Sequence, residues 1–158
     1  MGDWRGRIGV IFPADEVHEQ EYMDFAPEGV SVHTTRFEIP AEISVETVSH
    51  FASGDDFEQL ARHFTLIDPG CIIFGCTAGS FLRGPGTDQE IIQRLEQAGG
   101  TRATTASTGI VEAAAALQLK KVSVVTPYLE ELNEKLKVFL EGNGIRVLSI
   151  KGFQREGG

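Results

Sequence analysis

Cys71 to Phe74 is an unbroken apolar run, Cys-Ile-Ile-Phe, entered through Asp68-Pro69-Gly70 and stopped at Gly75. A run this short, bounded by turn residues and free of polar alternation, is the pattern of a strand buried on both faces in the middle of a parallel sheet. Past the stop come Cys76, Thr77, Ala78, Gly79 and Ser80, small residues that leave backbone N–H groups open to a ligand. Thr87-Asp-Gln-Glu90 then reads as a capping box that starts a helix. A nucleophile-grade side chain is thus expected at the carboxyl end of a central strand, where ligands bind in open α/β sheets.

The positive end of a helical turn beginning at Ala78 is expected to lower the pKa of the Cys76 thiol and raise its thiolate fraction. Free cysteine is also among the most buried residue types, so a catalytic and a structural role are both open to Cys76 on the residues alone. Its neighbours Thr77 and Ser80 favour catalysis. Cys71 reads as a small hydrophobe. Five residues of strand span about 16 Å, beyond the roughly 7 Å Cα limit for a disulfide, so Cys71 and Cys76 are not expected to bond to each other.

Around this run the chain alternates strands and helices. Arg7 to Pro13 reads as a strand, followed by an acidic stretch (Asp15, Glu16, Glu19, Glu21) with a short helix to Phe25, and Gly29 to Phe37 as a strand near a sheet edge. Val45, Val48, Phe51, Phe57, Leu60, Ala61 and Phe64 fall at helical spacing, broken at Ser53-Gly54 with Asp55 as a cap. A helix over about 88–98 ends at Gly99-Gly100, a short polar strand covers 101–106, and a helix covers 109–117 with Ile110, Val111, Ala114 and Leu117 on one face. Val122 to Thr126 is the next strand and Pro127 suits a first helical position. Leu129, Leu132, Leu136, Phe139 and Leu140 form an amphipathic stripe, and Ile145 to Ile150 is a last strand. The sum is a doubly wound parallel α/β architecture with right-handed crossovers.

The same unit starts twice. Arg7-Ile-Gly-Val-Ile-Phe-Pro13 aligns with Lys121-Val-Ser-Val-Val-Thr-Pro127, and Gly29-Val-Ser-Val32 with Gly144-Ile-Arg-Val147. The first copy runs on to Cys76; the second has no counterpart of that strand. This divides the chain into a first lobe, 1–118, and the beginning of a second, 119–158.

Composition bounds the partners. A formal net charge of -9 argues against nucleic acid or an anionic membrane, which need clustered Lys and Arg. No segment approaches the roughly 20 apolar residues of a membrane span, and residues 1–7 hold no apolar stretch for a signal peptide, so a cytoplasmic location is expected. The two cysteines and four histidines show no zinc-ligand spacing, and no metal is expected.

With these residues in view, three segments give the chain its likeness: Ile8-Gly-Val-Ile-Phe-Pro13, Gly75-Cys-Thr-Ala-Gly-Ser-Phe-Leu-Arg-Gly84, and Thr126-Pro-Tyr-Leu-Glu-Glu-Leu-Asn133. It resembles the aspartate/glutamate racemase superfamily, in the branch of maleate cis-trans isomerases and arylmalonate decarboxylases. The resemblance implies two pseudo-symmetric flavodoxin-like lobes, no cofactor, and one cysteine from each lobe facing a small carboxylate substrate. Cys76 matches the first-lobe cysteine, where decarboxylases tend to have glycine. Thr77 and Tyr128 match residues that hydrogen-bond a substrate carboxylate, and Ala78, Pro13, Asp15 and Asn133 complete the candidate binding set. Donors fixed at a carboxylate oxygen would stabilise an enediolate-like dianion, the largest stabilisation available. The implied isomerase reaction has Cys76 add to a double bond, allow rotation and depart.

Two departures stand out. The isomerases' substrate-gripping asparagine after the first strand is replaced by Ala14-Asp15-Glu16, which would repel a dicarboxylate. Members also continue well beyond this length, with the second cysteine in that part, so the 158-residue chain is expected to be a fragment, inactive alone and self-associating or covered along strand 145–150. Alternatives are a decarboxylase-like enzyme or a non-catalytic binding module. A low-molecular-weight phosphatase loop is disfavoured because six residues, not five, separate Cys76 from Arg83, and a receiver domain because its central strand ends in aspartate.

Overall fold

The computed structural model describes residues 5–39 and 56–153. Strands β1 (Gly6–Pro13), β2 (Val30–Phe37), β3 (Cys71–Phe74) and β4 (Ala103–Thr105) form a parallel sheet in the order β2-β1-β3-β4. A second sheet pairs β5 (Lys121–Thr126) with β6 (Arg146–Gly152), also in parallel. The helices are α1 (Glu19–Phe25), α2 (Asp56–His63, continued by a 3₁₀ turn Phe64–Ile67), α3 (Thr77–Phe81), α4 (Thr87–Gly99), α5 (Ala106–Ala116) and α6 (Glu130–Gly142). The architecture is α/β, a parallel sheet flanked by helices, with β2 on the sheet edge. Strand order reverses between β1 and β3, so the loops leaving those two strands border a crevice at a topological switch point.

Alternate side chains of the central strands build the main core. Ile11, Ile72 and Phe74 pack under α2 and α4 against Phe57, Ala61, Phe64, Ile91 and Leu95. Each such side chain contributes about 1.5–3 kcal/mol when withdrawn from water. The approach is close enough at Gly9 that a Cβ there would lie 2.8 Å from the Phe64 ring. A second core joins the sheets: Phe81 of α3 meets Ala114, Leu136, Phe139, Leu140, Ile145 and Val147. The α6 stripe is buried at Leu132, Leu136, Phe139 and Leu140 as its spacing predicts.

The two strand–helix–strand units share their geometry. Arg7 is paired with Ser31 and Lys121 with Arg146, which is the same register under the sequence alignment, until a bulge at Val122/Ser123 shifts the second pair. Gly29 and Gly144, which precede β2 and β6, have φ of 79° and 78°, a conformation that favours glycine.

Several expectations are corrected. The run Cys71–Phe74 is buried on one face only: Ile72 and Phe74 are inside, while Cys71 and Ile73 are half-buried. No capping box opens α4. Its N-cap is Gly86 at φ 93° without a side-chain cap, Thr87 is buried inside the helix, and Glu90 pairs with Arg83 at 3.0 Å instead. Helix α5 begins at Ala106, where the Thr105 hydroxyl accepts from Thr108 N at 3.0 Å, and Ile110 and Leu117 of the expected apolar face are exposed. Pro127 lies in a loop before α6, whose N-cap is Leu129. The expected helix over Val45, Val48 and Phe51, its break at Ser53-Gly54 and the cap at Asp55 lie outside the described residues. Among the described residues, no helix is long and apolar enough to cross a membrane.

Candidate active site

The loop leaving β3 is fixed at its first residue, where Gly75 N donates to Ile11 O at 2.7 Å. Cys76 then has extended backbone (φ -91°, ψ 102°) and serves as N-cap of α3, its Sγ accepting from Gly79 N at 3.4 Å. Cys71 and Cys76 are both free, as strand geometry requires. The expected thiolate is not found. Cys76 is buried with Phe37 and Phe74, and burial, reinforced by the nearby Glu16 and Asp15, pushes its thiol up to about 12 against the pull of the Gly79 N–H. One long contact to a sulfur does not offset the loss of water around a charge.

Tyr128 shares that surrounding. Burial pushes its phenol up to about 12, Cys76 and Glu16 push in the same direction, and a hydrogen bond with the Thr77 side chain opposes them. Its ring tilts against Phe81 at 5.8 Å and packs on Ala78, Leu82 and Leu132. The structure thus brings Cys76, Thr77, Ala78 and Tyr128 together. Pro13 closes β1 on the other side of the crevice and is buried; Asp15 is exposed on the loop after it, within electrostatic reach of Cys76.

Asn133 is not in the cleft. It is fully buried, its Oδ1 accepting from Thr126 Oγ1 at 2.6 Å and its Nδ2 donating to Tyr128 O at 3.4 Å. Thr126 Oγ1 in turn accepts from Tyr128 N at 3.1 Å. Asn133 holds the loop that carries Tyr128.

Three contributors escaped the sequence reading. Ser107, at the start of α5, donates to Thr77 O at 3.1 Å and accepts from Ser80 Oγ at 2.7 Å, while Ser80 Oγ also reaches Thr77 O at 3.0 Å. Ser80 has one proton to place on Ser107 or on Thr77 O, so this buried hydroxyl pair fixes one carbonyl of the Cys76–Thr77 turn with Ser107 as its donor whenever Ser80 bonds Ser107. Tyr22 of α1 stacks on Phe12, and a Cβ on Gly75 would lie 2.8 Å from its hydroxyl. Arg36 of β2 clamps the β1–α1 loop, donating to Ala14 O at 2.9 Å, to Glu16 O and to the Glu19 carboxylate. The available signal was position: Ser107 follows β4 as Cys76 follows β3, so the strand ends converge. Among the described residues, no group of three or more His, Cys, Asp and Glu is placed to hold a metal ion.

Comparison with known proteins bears on the family and the fold. Residues 27–156 match the family profile of arylmalonate decarboxylase. The maleate isomerase of Nocardia farcinica (strain IFM 10152) is 26% identical over 151 residues, covering 89% of this chain and 59% of that protein. The arylmalonate decarboxylase of Bordetella bronchiseptica is 31% identical over 83 residues, covering 49% of this chain and 35% of that protein. The fold matches the crystal structure of the maleate isomerase of Pseudomonas putida S16 with maleate at a TM-score of 0.86 and 21% identity, over 96% of this chain and 65% of that one. It also matches a mutant of the Nocardia farcinica maleate cis-trans isomerase holding a covalently bound succinylcysteine intermediate, at 0.85 and 22%, with the same coverage. The chain spans about 59% to 65% of the length of these isomerases.

Proposed function

We propose, from the premise that this chain belongs to the arylmalonate decarboxylase family, that it carries the cysteine half-site of a maleate isomerase-like enzyme acting on a small carboxylate without a cofactor. The observation that supports this most directly is the grouping of Cys76, Thr77 and Tyr128 in one crevice at the carboxyl ends of β1 and β3. In this reading the Cys76 sulfur adds to an unsaturated carbon next to a carboxylate. The Thr77 hydroxyl and the Tyr128 phenol donate to the carboxylate oxygen on which charge develops. A cysteine, rather than glycine, at position 76 favours the isomerase over the decarboxylase reading.

The β5–α6–β6 unit repeats only β1–α1–β2, so the counterpart of β3 and its cysteine is not among these residues. The reading assigns to these residues the half-site around Cys76 and pairs it with a second half-site that presents the opposing group. The test is purified protein incubated with maleate, aspartate, glutamate and aryl malonates, followed by NMR. With the second half-site supplied, isomerisation of maleate and its loss in Cys76→Ala are expected; retained turnover in that variant refutes the cysteine role. Turnover by the 158-residue chain by itself at about 1 per second or more refutes the half-site part.

A further inference from the structure

Glu16 faces the Cys76 crevice, and nothing above gives it a task. The β1–α1 loop sets its position. Glu16 N donates to Pro13 O at 3.2 Å in a tight turn, and Arg36 fastens the loop through the Ala14 and Glu16 carbonyls. The guanidinium of Arg36 lies over the Phe12 ring at 4.6 Å and its second nitrogen holds Glu19. It thus anchors the Glu16 main chain, and among the described residues no ion pair engages the Glu16 carboxylate.

Glu16 lines a cavity of about 520 Å³ together with His18, Tyr22, Gly75 and Thr77, the last two of which flank Cys76. Its charge acts on Cys76, Tyr128 and Tyr22 alike. Partial burial raises its own pKa; Asp15 adds to the rise, and His18 and Arg36 oppose it. Glu19, Glu21 and Asp24 complete the charged groups of the loop and α1.

We infer that Glu16 is the acid/base partner of Cys76: it takes the thiol proton as sulfur attacks and returns that proton to carbon. This rests on the isomerase-like reading for the identity of the carbon. In the forward step the S–H bond breaks, its proton goes to the Glu16 carboxylate and the sulfur lone pair forms a C–S bond. The π pair of the alkene moves onto the neighbouring carbon and its carboxylate. Glutamic acid then protonates that carbon, giving a thioether adduct that keeps the carboxylate charge of the substrate and restoring the Glu16 carboxylate. After rotation about the new carbon–carbon single bond, elimination reverses these transfers and leaves the isomerised alkene. A buried thiol with little thiolate of its own needs such a base, and a carboxyl already shifted towards neutrality is suited to return the proton.

The experiment reads Cys76 alone, so that it does not depend on the substrate. The rate of Cys76 alkylation by iodoacetamide is followed by peptide-resolved mass spectrometry between pH 4 and 10. In the intact chain the rate should rise in a first step above pH 4.5, as Glu16 ionises, and again as the thiol itself ionises. Glu16→Gln should remove the first step, slowing alkylation at pH 6 by about 100-fold, and move the second to lower pH because a like charge is gone. Glu16→Asp should keep a weakened first step, and His18→Gln should keep the step but move it to higher pH, because a charge that opposes the Glu16 rise is gone. A first step that persists in Glu16→Gln, that is missing from the intact chain, or that vanishes in His18→Gln overturns the assignment. Thermal unfolding of Glu16→Gln serves as the fold control, and if that variant unfolds, Glu16→Asp decides alone. If the steps behave as stated but no member of the carboxylate panel turns over with the second half-site present, the acid/base pair stands and the isomerase reading falls.

Discussion

Replacing Asn133 by Leu tests how the Tyr128 loop is held. Leucine preserves approximate volume but offers no polar atoms, so the Thr126 hydroxyl loses the acceptor at 2.6 Å and Tyr128 O loses the amide at 3.4 Å. The two contacts are unequal. The first is short and buried and should carry about 1–1.5 kcal/mol, the second a fraction of that. Because Thr126 stays buried with a hydroxyl that no longer has its acceptor, a desolvation penalty of about 1 kcal/mol adds to the loss. The total is about 2–3 kcal/mol, or a fall in Tm of roughly 5–10 °C for a chain of this size. Urea and thermal unfolding of Asn133→Leu, Thr126→Val and the double variant measure it. The double variant should cost less than the sum of the singles by about 1 kcal/mol, since removing both partners leaves neither orphaned. A cost below about 0.5 kcal/mol, or strict additivity, would refute this account of Asn133.

Alkaline pH should unfold the protein through Cys76. Its folded pKa of about 12 lies above the ordinary thiol value of 9.0, so the folded chain binds more protons between those values. Stability is then fully present below pH 9 and falls as pH rises towards 12, by up to about 4 kcal/mol from this group. Cys76→Ser should flatten that decline in denaturant midpoints taken between pH 8 and 11, and an unchanged slope contradicts the burial argument. Ser107→Ala removes the hydroxyl shared with Ser80 and Thr77 O and should cost about 1–2 kcal/mol by urea unfolding; a cost near zero would mean that Ser80 holds the turn alone.

What the sequence made legible is what short-range pattern controls. The run at Cys71–Phe74 marks an interior strand and the α6 stripe marks a buried helix face, because period and length follow directly from backbone geometry. The misreadings share a cause in tertiary packing. Thr87 and Glu90 have the letters of a capping box, but Gly86 at φ 93° takes the cap position and Arg83 recruits Glu90. The turn after Cys76 predicts a dipole that lowers its pKa, and the helix is there; its effect is outweighed by water exclusion that no local pattern records. Asn133 reads as a helix-start polar residue near the site, and only the fold shows that it points inward at Thr126. Ser107 meets Thr77 across 30 residues, a separation at which sequence spacing carries no contact information.

The electrostatics of the crevice set the order in which charge can appear there. With Cys76 and Tyr128 both pushed up to about 12, each is neutral at pH 7, and Glu16 is displaced in the same direction. All three shifts are led by loss of water, and each group also feels a like charge from Asp15 or Glu16. Arg36 sits behind the loop, bonded to its carbonyls and to Glu19, and its charge opposes the Glu16 shift. On the proposed reading the guest itself is a carboxylate, and the donors that receive it, Thr77 and Tyr128, are uncharged hydrogen-bond groups that do not cancel its charge. An anion bound there makes a free Cys76 thiolate harder to form, because two like charges about 5 Å apart repel by roughly 3 kcal/mol at an effective dielectric near 20. A thiolate formed in advance of the guest would oppose its entry, and a guest bound in advance opposes the thiolate. Proton transfer concerted with carbon–sulfur bond formation avoids both, because the negative charge then passes from Glu16 to the enediolate without resting on sulfur.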